Sequence, residues 1–311
     1  MRHLAGHLTV MEGLVPAQVS FAGGSVPVDM PDVRKRLERE LNQHMKFPAG
    51  IGLTIKRANR YQKQFLRILR AKGIPEDFFY MAVAESGLAN VGSHRGAKGF
   101  WQFMEATAEQ YGLEVSSTVD ERFHPEKSTY AACRYLNTHY KQFGDWALVA
   151  ASYNMGGAGL ARNLEDQQVD NYFDLELNPE THRYLFRILS YKCLVEDPAR
   201  FELSVDPKDL YEPIRYSTVR VSENIDDLST FAKAHGSSYL MVKTLNPWLT
   251  ADHLEVKPGK TYEIRLPLAE ELMANELIVE DFLNPEKVNA EPVSLDSHSD
   301  TEGVNKATTD A

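Results

Sequence analysis

The 311-residue chain has only two cysteines, Cys133 and Cys193, and no Cys-x-x-Cys pair. Disulfide scaffolds and cysteine-built zinc modules are thereby excluded, and the two thiols read as buried and free. An EF-hand loop and the phosphate-cradling G-x-x-x-x-G-K-[ST] pattern are both missing. His3 and His7 have His-x-x-x-His spacing but lack the intervening glutamate, so the pair reads as incidental and no metal or cofactor is expected. No apolar run is long enough to span a bilayer, so no transmembrane segment is expected. The opening MRHLAGHLTVMEGLVPAQ mixes polar with apolar residues and shows neither a signal-peptide core nor a lipid-bearing cysteine. Positive charge is also short: 34 Lys+Arg face 44 Asp+Glu, a net charge of −10 that argues against nucleic acid as a partner.

What remains is a globular composition, 43% hydrophobic and 25% charged, sized for one or two domains. Residues 1–25 are weakly patterned and read as a loose segment. Val33, Leu37 and Leu41 recur every four positions and predict an amphipathic helix over 31–44. Ile55, Tyr61, Phe65, Ile68 and Leu69 predict another over 53–71. Further helical stretches fall at 107–111, 125–143, 146–153 and 179–194, and one is expected to begin at Phe100. No strand-like alternation precedes about residue 215, so 26–205 reads as an all-α domain. After Asp206, STVRV and YEIRL alternate as strands around two short helical stretches, giving a small β-α-α-β domain over 206–268. Residues 269–311 are acidic, poor in large apolar residues, and read as a disordered tail.

Within FFYMAVAESGLAN (78–90), Glu85 stands in the last turn of an apolar helix that starts at Pro75-Glu76-Asp77 and stops at Gly87. A carboxylate there opposes the helix dipole by ~0.3–1 kcal/mol. Such a residue can be solvated and idle. An apolar setting and the wrong dipole end also raise a carboxyl pKa, which is what a general acid near neutral pH requires. Its company decides. A glycine-punctuated loop (Gly87, Gly92, Gly96, Gly99) leads to Phe100-Trp101-Gln102. Phe100 reads as core, and Trp101 equally as core or as a sugar-stacking face. Tyr153-Asn154 precede Gly156-Gly157, and Glu180-Thr181-x-x-Tyr184 follows Pro179.

In this order and spacing, Glu85-Ser86, Gly99-x-x-Gln102, Tyr153-Asn154 and Glu180-Thr-x-x-Tyr184 resemble the lytic transglycosylase (SLT) domain. GIPEDFFYMAVAESGL, GAKGFWQFMEATAEQYGLEV and FGDWALVAASYNMGG are similar to its membrane-bound lytic murein transglycosylase D branch. The resemblance implies a lysozyme-like all-α fold with an N-terminal helical extension, acting on peptidoglycan glycan strands without a cofactor. It makes Glu85 the single acid/base, with Ser86 holding the loop around it. It places Ser93 beside the substrate N-acetyl group, although this loop is one residue shorter than in the soluble branch. Gln102, Tyr153, Asn154 and Tyr184 become substrate-binding residues, with the two tyrosines hydrogen-bonding Glu85 to tune it. Glu105, Asp120 and Glu121 read as helix-surface or capping residues instead. One carboxyl suffices in such a family because the sugar's own C6 hydroxyl attacks, giving a 1,6-anhydro end.

STVRVSENIDDLSTFAKAHGSSYLMVKTLNPWL is similar to LysM modules, which bind N-acetylglucosamine chains. Ser222-Glu223-Asn224-Ile225 replaces their usual Gly-Asp turn, so glycan binding and a purely structural role both stay open. A hydrolase of goose-lysozyme type and a silent glycan-binding scaffold are the competing functions. The implied substrate places the chain in the cell envelope or periplasm, which would require a leader that the sequence does not display.

Overall fold

The computed structural model describes residues 13–268. The His3/His7 pair, the start of the 1–25 segment and the 269–311 tail lie outside that range. The helical domain comprises α1 (Pro31–Met45), α2 (Pro48–Ala71), α3 (Phe78–Ser86), α4 (Glu105–Gln110), α5 (Pro125–Phe143), α6 (Trp146–Met155), α7 (Gly157–Gln167) and α8 (Pro179–Glu196). A hairpin, β1 (Val19–Phe21) and β2 (Gly24–Val26), precedes it. The small domain is β3 (Tyr216–Val221), α9 (Leu228–Ala234), α10 (Tyr239–Leu245) and β4 (Tyr262–Pro267).

The helix boundaries have local causes. Proline opens α1, α2, α5 and α8, where its missing N–H costs nothing. Asp145 and Asn178 cap α6 and α8 by accepting first-turn N–H groups at 2.9–3.1 Å. Gly87 and Gly144 end α3 and α5 in the left-handed conformation. Val33, Leu37 and Leu41 are all buried, as their spacing predicts. The centre of the domain is α3, eight of whose nine residues are buried, packed against α2 and α8. Beside it Phe65, Phe79, Phe100 and Trp101 form an aromatic cluster with ring centroids 5.5–6.1 Å apart. Trp101 is fully buried and donates its indole N–H to Thr129 Oγ1 at 3.0 Å, so it is core and not a sugar platform.

Two sequence expectations need correction: the loose start and the helix at Phe100. The described part of the 1–25 segment is not loose: Leu14, Val15, Val19, Phe21 and Val26 are buried around the β1–β2 hairpin. Three-residue strands are too short for alternation to show. Pro75, Glu76 and Asp77 do lead into α3: their carbonyls accept the N–H groups of Phe78, Phe79 and Tyr80 at 2.9–3.1 Å, while the Asp77 side chain accepts the Ala22 N–H at 2.7 Å and pairs with Lys192, and Glu76 pairs with Arg70. The helix expected at Phe100 begins at Glu105, since Gly99 and Gln102 both adopt positive φ. Gly156 ends α6, donating its N–H to Ser152 O at 2.9 Å, and α7 follows directly.

In the small domain β3 and β4 pair antiparallel from Tyr216↔Pro267 to Val221↔Tyr262. Asn246, fully buried, stitches α10 to β4: its side-chain N–H groups donate to Val242 O and Arg265 O at 2.8 and 2.7 Å, and its carbonyl accepts the Arg265 N–H at 2.8 Å. Cys133 is buried, Cys193 half-buried, and neither is bridged. Among the described residues no helix is long and apolar enough to cross a membrane.

Candidate active site

Glu85 is the one residue of α3 that is not buried. The residue as a whole is partly exposed, while its carboxyl is densely enclosed by protein. Tyr184, presented by α8, donates its hydroxyl to Glu85 Oε1. Burial pushes the Glu85 pKa up, and the nearby charge of Glu180 adds to that push. The positive charge of Arg187 and the Tyr184 hydrogen bond pull it down, and burial prevails, leaving the pKa raised. Burial followed by the Glu85 charge likewise lifts the Tyr184 and Tyr153 phenols well above their ordinary value, so both hydroxyls keep their protons.

Tyr153 comes from the end of α6 and lies within electrostatic reach of Glu85. Its hydroxyl does not go to Glu85, as expected, but donates to Trp101 O at 2.7 Å, a carbonyl of the loop between α3 and α4. Asn154 turns toward α8, accepting from Thr181 Oγ1 at 2.7 Å and donating to Glu180 Oε1 at 3.4 Å. Glu180 Oε2 is buried with no hydrogen-bond partner among the described residues.

The remaining sequence candidates shape the loop between α3 and α4. Ser86 donates to Phe100 O at 3.0 Å and to Ala82 O at 3.2 Å, and accepts the Leu88 N–H. Ser93 Oγ accepts the Ala97 N–H at 3.0 Å, closing a turn. Gln102 is 2% exposed, and its side-chain N–H groups donate to Val91 O and Gly99 O, both at 2.8 Å. Its Oε1 is buried and has no hydrogen-bond partner among the described residues. At φ +48° Gln102 holds a conformation that non-glycine residues rarely adopt. Glu105 is mostly exposed at the start of α4, whereas Asp120 and Glu121 are buried in capping and ion-pair roles.

Arg187 escaped the sequence reading. It lies three positions after Tyr184 on α8, with its guanidinium 5.3 Å from the Tyr184 ring centre. Its Nε and Nη2 are buried without hydrogen-bond partners among the described residues. The i, i+3 spacing from a motif tyrosine was the available signal. The described residues contain no cluster of three or more His, Cys, Asp or Glu side chains suited to a metal.

Residues 66–174 match the transglycosylase SLT domain, and residues 217–270 match the soluble lytic transglycosylase C-terminal LysM-like domain. The chain carries an SLT domain followed by a LysM-like domain. It is homologous to membrane-bound lytic murein transglycosylase D of Escherichia coli K12, with 22% identity over 233 residues covering 73% of this chain and 51% of the relative. The same protein of E. coli O6:H1 matches equally. The chain therefore spans about half the length of the curated relatives it matches. Among solved structures, an inactive mutant of lytic transglycosylase Slt from Pseudomonas aeruginosa matches at 21% identity and a TM-score of 0.34, over 48% of this chain and 26% of that one. Glu180, Tyr184 and Arg187 lie beyond the SLT match, on the helix that closes over Glu85.

Proposed function

We propose that this chain is a peptidoglycan lytic transglycosylase. It cleaves the β-1,4 bond between N-acetylmuramic acid and N-acetylglucosamine and leaves a 1,6-anhydromuramoyl end. Protonated Glu85 gives its proton to the bridging oxygen as the C1–O bond breaks, and the substrate N-acetyl carbonyl steadies the cation at C1. The Glu85 carboxylate then removes the proton from the C6 hydroxyl as that oxygen bonds to C1. No water is consumed and Glu85 returns to its starting state. Intramolecular attack carries a large effective concentration, so neither a positioned water nor a second base is required.

The observation that carries this reading is the Glu85 carboxyl itself: enclosed, raised in pKa, and held by Tyr184. Burial favours the proton-bearing form needed first, and Arg187 with Tyr184 favours the carboxylate needed second. In this scheme Gln102, Asn154 and Tyr153 bind the glycan around the scissile bond. Ser86 and Ser93 order the loop. We assign residues 26–205 to the catalytic unit and 206–268 to the LysM-like unit, and place the protein in the cell envelope, where its substrate is.

Glu180 supports a second reading. It is another carboxylate in electrostatic reach of Glu85, and its unpartnered oxygen could activate water for hydrolysis. Digestion of purified peptidoglycan followed by mass analysis separates the two. Anhydro products are one water lighter than hydrolytic ones, and heavier products that disappear in Glu180→Gln would establish a muramidase instead.

A further inference from the structure

The segment joining α4 to α5 belongs in sequence to the helical domain, yet it is built into the small one. Val119 is fully buried in the apolar core formed by Leu228, Val242, Trp248, Leu249 and Leu254. It forms an antiparallel bridge with Leu249. On either side, the Asp120 N–H donates to Trp248 O at 2.8 Å and the Thr250 N–H donates to Thr118 O at 3.0 Å. Glu114, where the segment begins, accepts from Lys260 and from the Tyr262 hydroxyl, and pairs with Lys257 at 2.9 Å.

The opposite side of this segment grips the active-site loop. Asp120 receives a two-pronged bond from Arg122, Nε to Oδ1 at 2.8 Å and Nη2 to Oδ2 at 2.7 Å. Arg122 is 2% exposed, and its Nη1 donates to Gly96 O at 3.2 Å and Phe103 O at 3.3 Å, bracketing the stretch that carries Gln102. Its own carbonyl presses so close to Gly99 that a Cβ there would lie 1.9 Å from it. The left-handed backbone of Gln102 persists only where surrounding contacts over-determine it. Arg122 supplies part of those contacts, beside the bonds of the Gln102 side chain to Val91 O and Gly99 O; Asp120 fixes Arg122, and the small domain fixes Asp120.

We propose that the LysM-like domain positions the Gln102 loop of the catalytic site through Asp120 and Arg122, and is therefore needed even for substrates too short to reach its own surface. This rests on the functional reading above. Arg122 is a positioning residue: it holds the loop and does not touch the glycan. The test uses the full chain with Val119→Ala and Asp120→Asn, two readouts, and a short, soluble, stem-free glycan of alternating N-acetylglucosamine and N-acetylmuramic acid.

Each substitution should speed amide exchange at Lys98 and Gly99, whose N–H groups donate to Phe103 O and Val91 O, by about tenfold or more, with α5 unchanged. On the short glycan kcat should fall about tenfold while KM stays within about twofold. Arg122→Lys should retain part of the rate that Arg122→Met loses. Unchanged loop protection and unchanged kcat, in variants whose small-domain amides have loosened, would overturn the proposal. If Val119→Ala fails to fold, Glu114→Gln, which weakens the ties to Lys257, Lys260 and Tyr262 of the small domain, decides in its place. If the wild type cleaves no glycan, the functional reading fails, while the exchange measurement still decides whether the domains are coupled.

Discussion

Tyr184 on α8 donates its hydroxyl to Glu85 Oε1 on α3, so an acid and the phenol that tunes it meet from positions 99 residues apart. The bond favours the charged form of Glu85 against the burial that disfavours it. Tyr184→Phe should therefore raise the Glu85 pKa further and move the pH–rate profile toward higher pH. A loss of about 10–100-fold in kcat with little change in melting temperature is expected, read from initial rates across pH 5–9.

Glu85→Gln removes both proton transfers. Turnover should fall by on the order of 10³-fold or more, measured as muropeptides released from purified peptidoglycan. Intact cleavage in this variant would refute the assignment.

The same substitution should stabilise the fold in a pH-dependent way. A pKa raised by folding means the native state keeps a proton that the unfolded chain has lost, so native stability declines as pH rises above the ordinary glutamate value of 4.5. Glutamine carries no such penalty. The melting-temperature advantage of Glu85→Gln over the wild type should be small near pH 4 and grow toward pH 8.

Glu114 runs the other way. Burial pushes its pKa up, but Lys260, Lys257 and Tyr262 outweigh that and hold it at about 2. A lowered pKa contributes stability above 4.5 that is lost as pH falls toward 2. Glu114→Gln should accordingly melt below the wild type at pH 7, and the two curves should converge in acid.

Gly99 and Gly73 both have positive φ, at +82° and +66°, but only Gly99 has a carbonyl in the way of a side chain. Gly73→Ala should cost about 1 kcal/mol, and Gly99→Ala about 3 kcal/mol or more together with most of the activity. Urea unfolding midpoints would rank them.

The helical framework was legible because apolar residues at 33, 37 and 41, and at 55, 65, 68 and 69, carry the helical period over many turns. The strand pair of the small domain was legible from the alternation in STVRV and YEIRL. The β1–β2 hairpin was not, since three-residue strands leave no period to detect. The motif residues Glu85 and Tyr184 do meet, but the destination of the Tyr153 hydroxyl depended on where the loop between α3 and α4 runs. Arg187 and the Asp120–Arg122 pair carried no motif, and their significance is visible only when the chain is folded.

Every α3 residue other than Glu85 is sealed inside the protein, so this helix has almost no free position at which variation could accumulate. Changes that retune the acid must arrive from its neighbours, chiefly along α8, where Glu180, Tyr184 and Arg187 already act with opposing signs. Adaptation of this acid to more acidic or more alkaline surroundings would accordingly be written in the helix facing it, while the helix bearing it stays as it is.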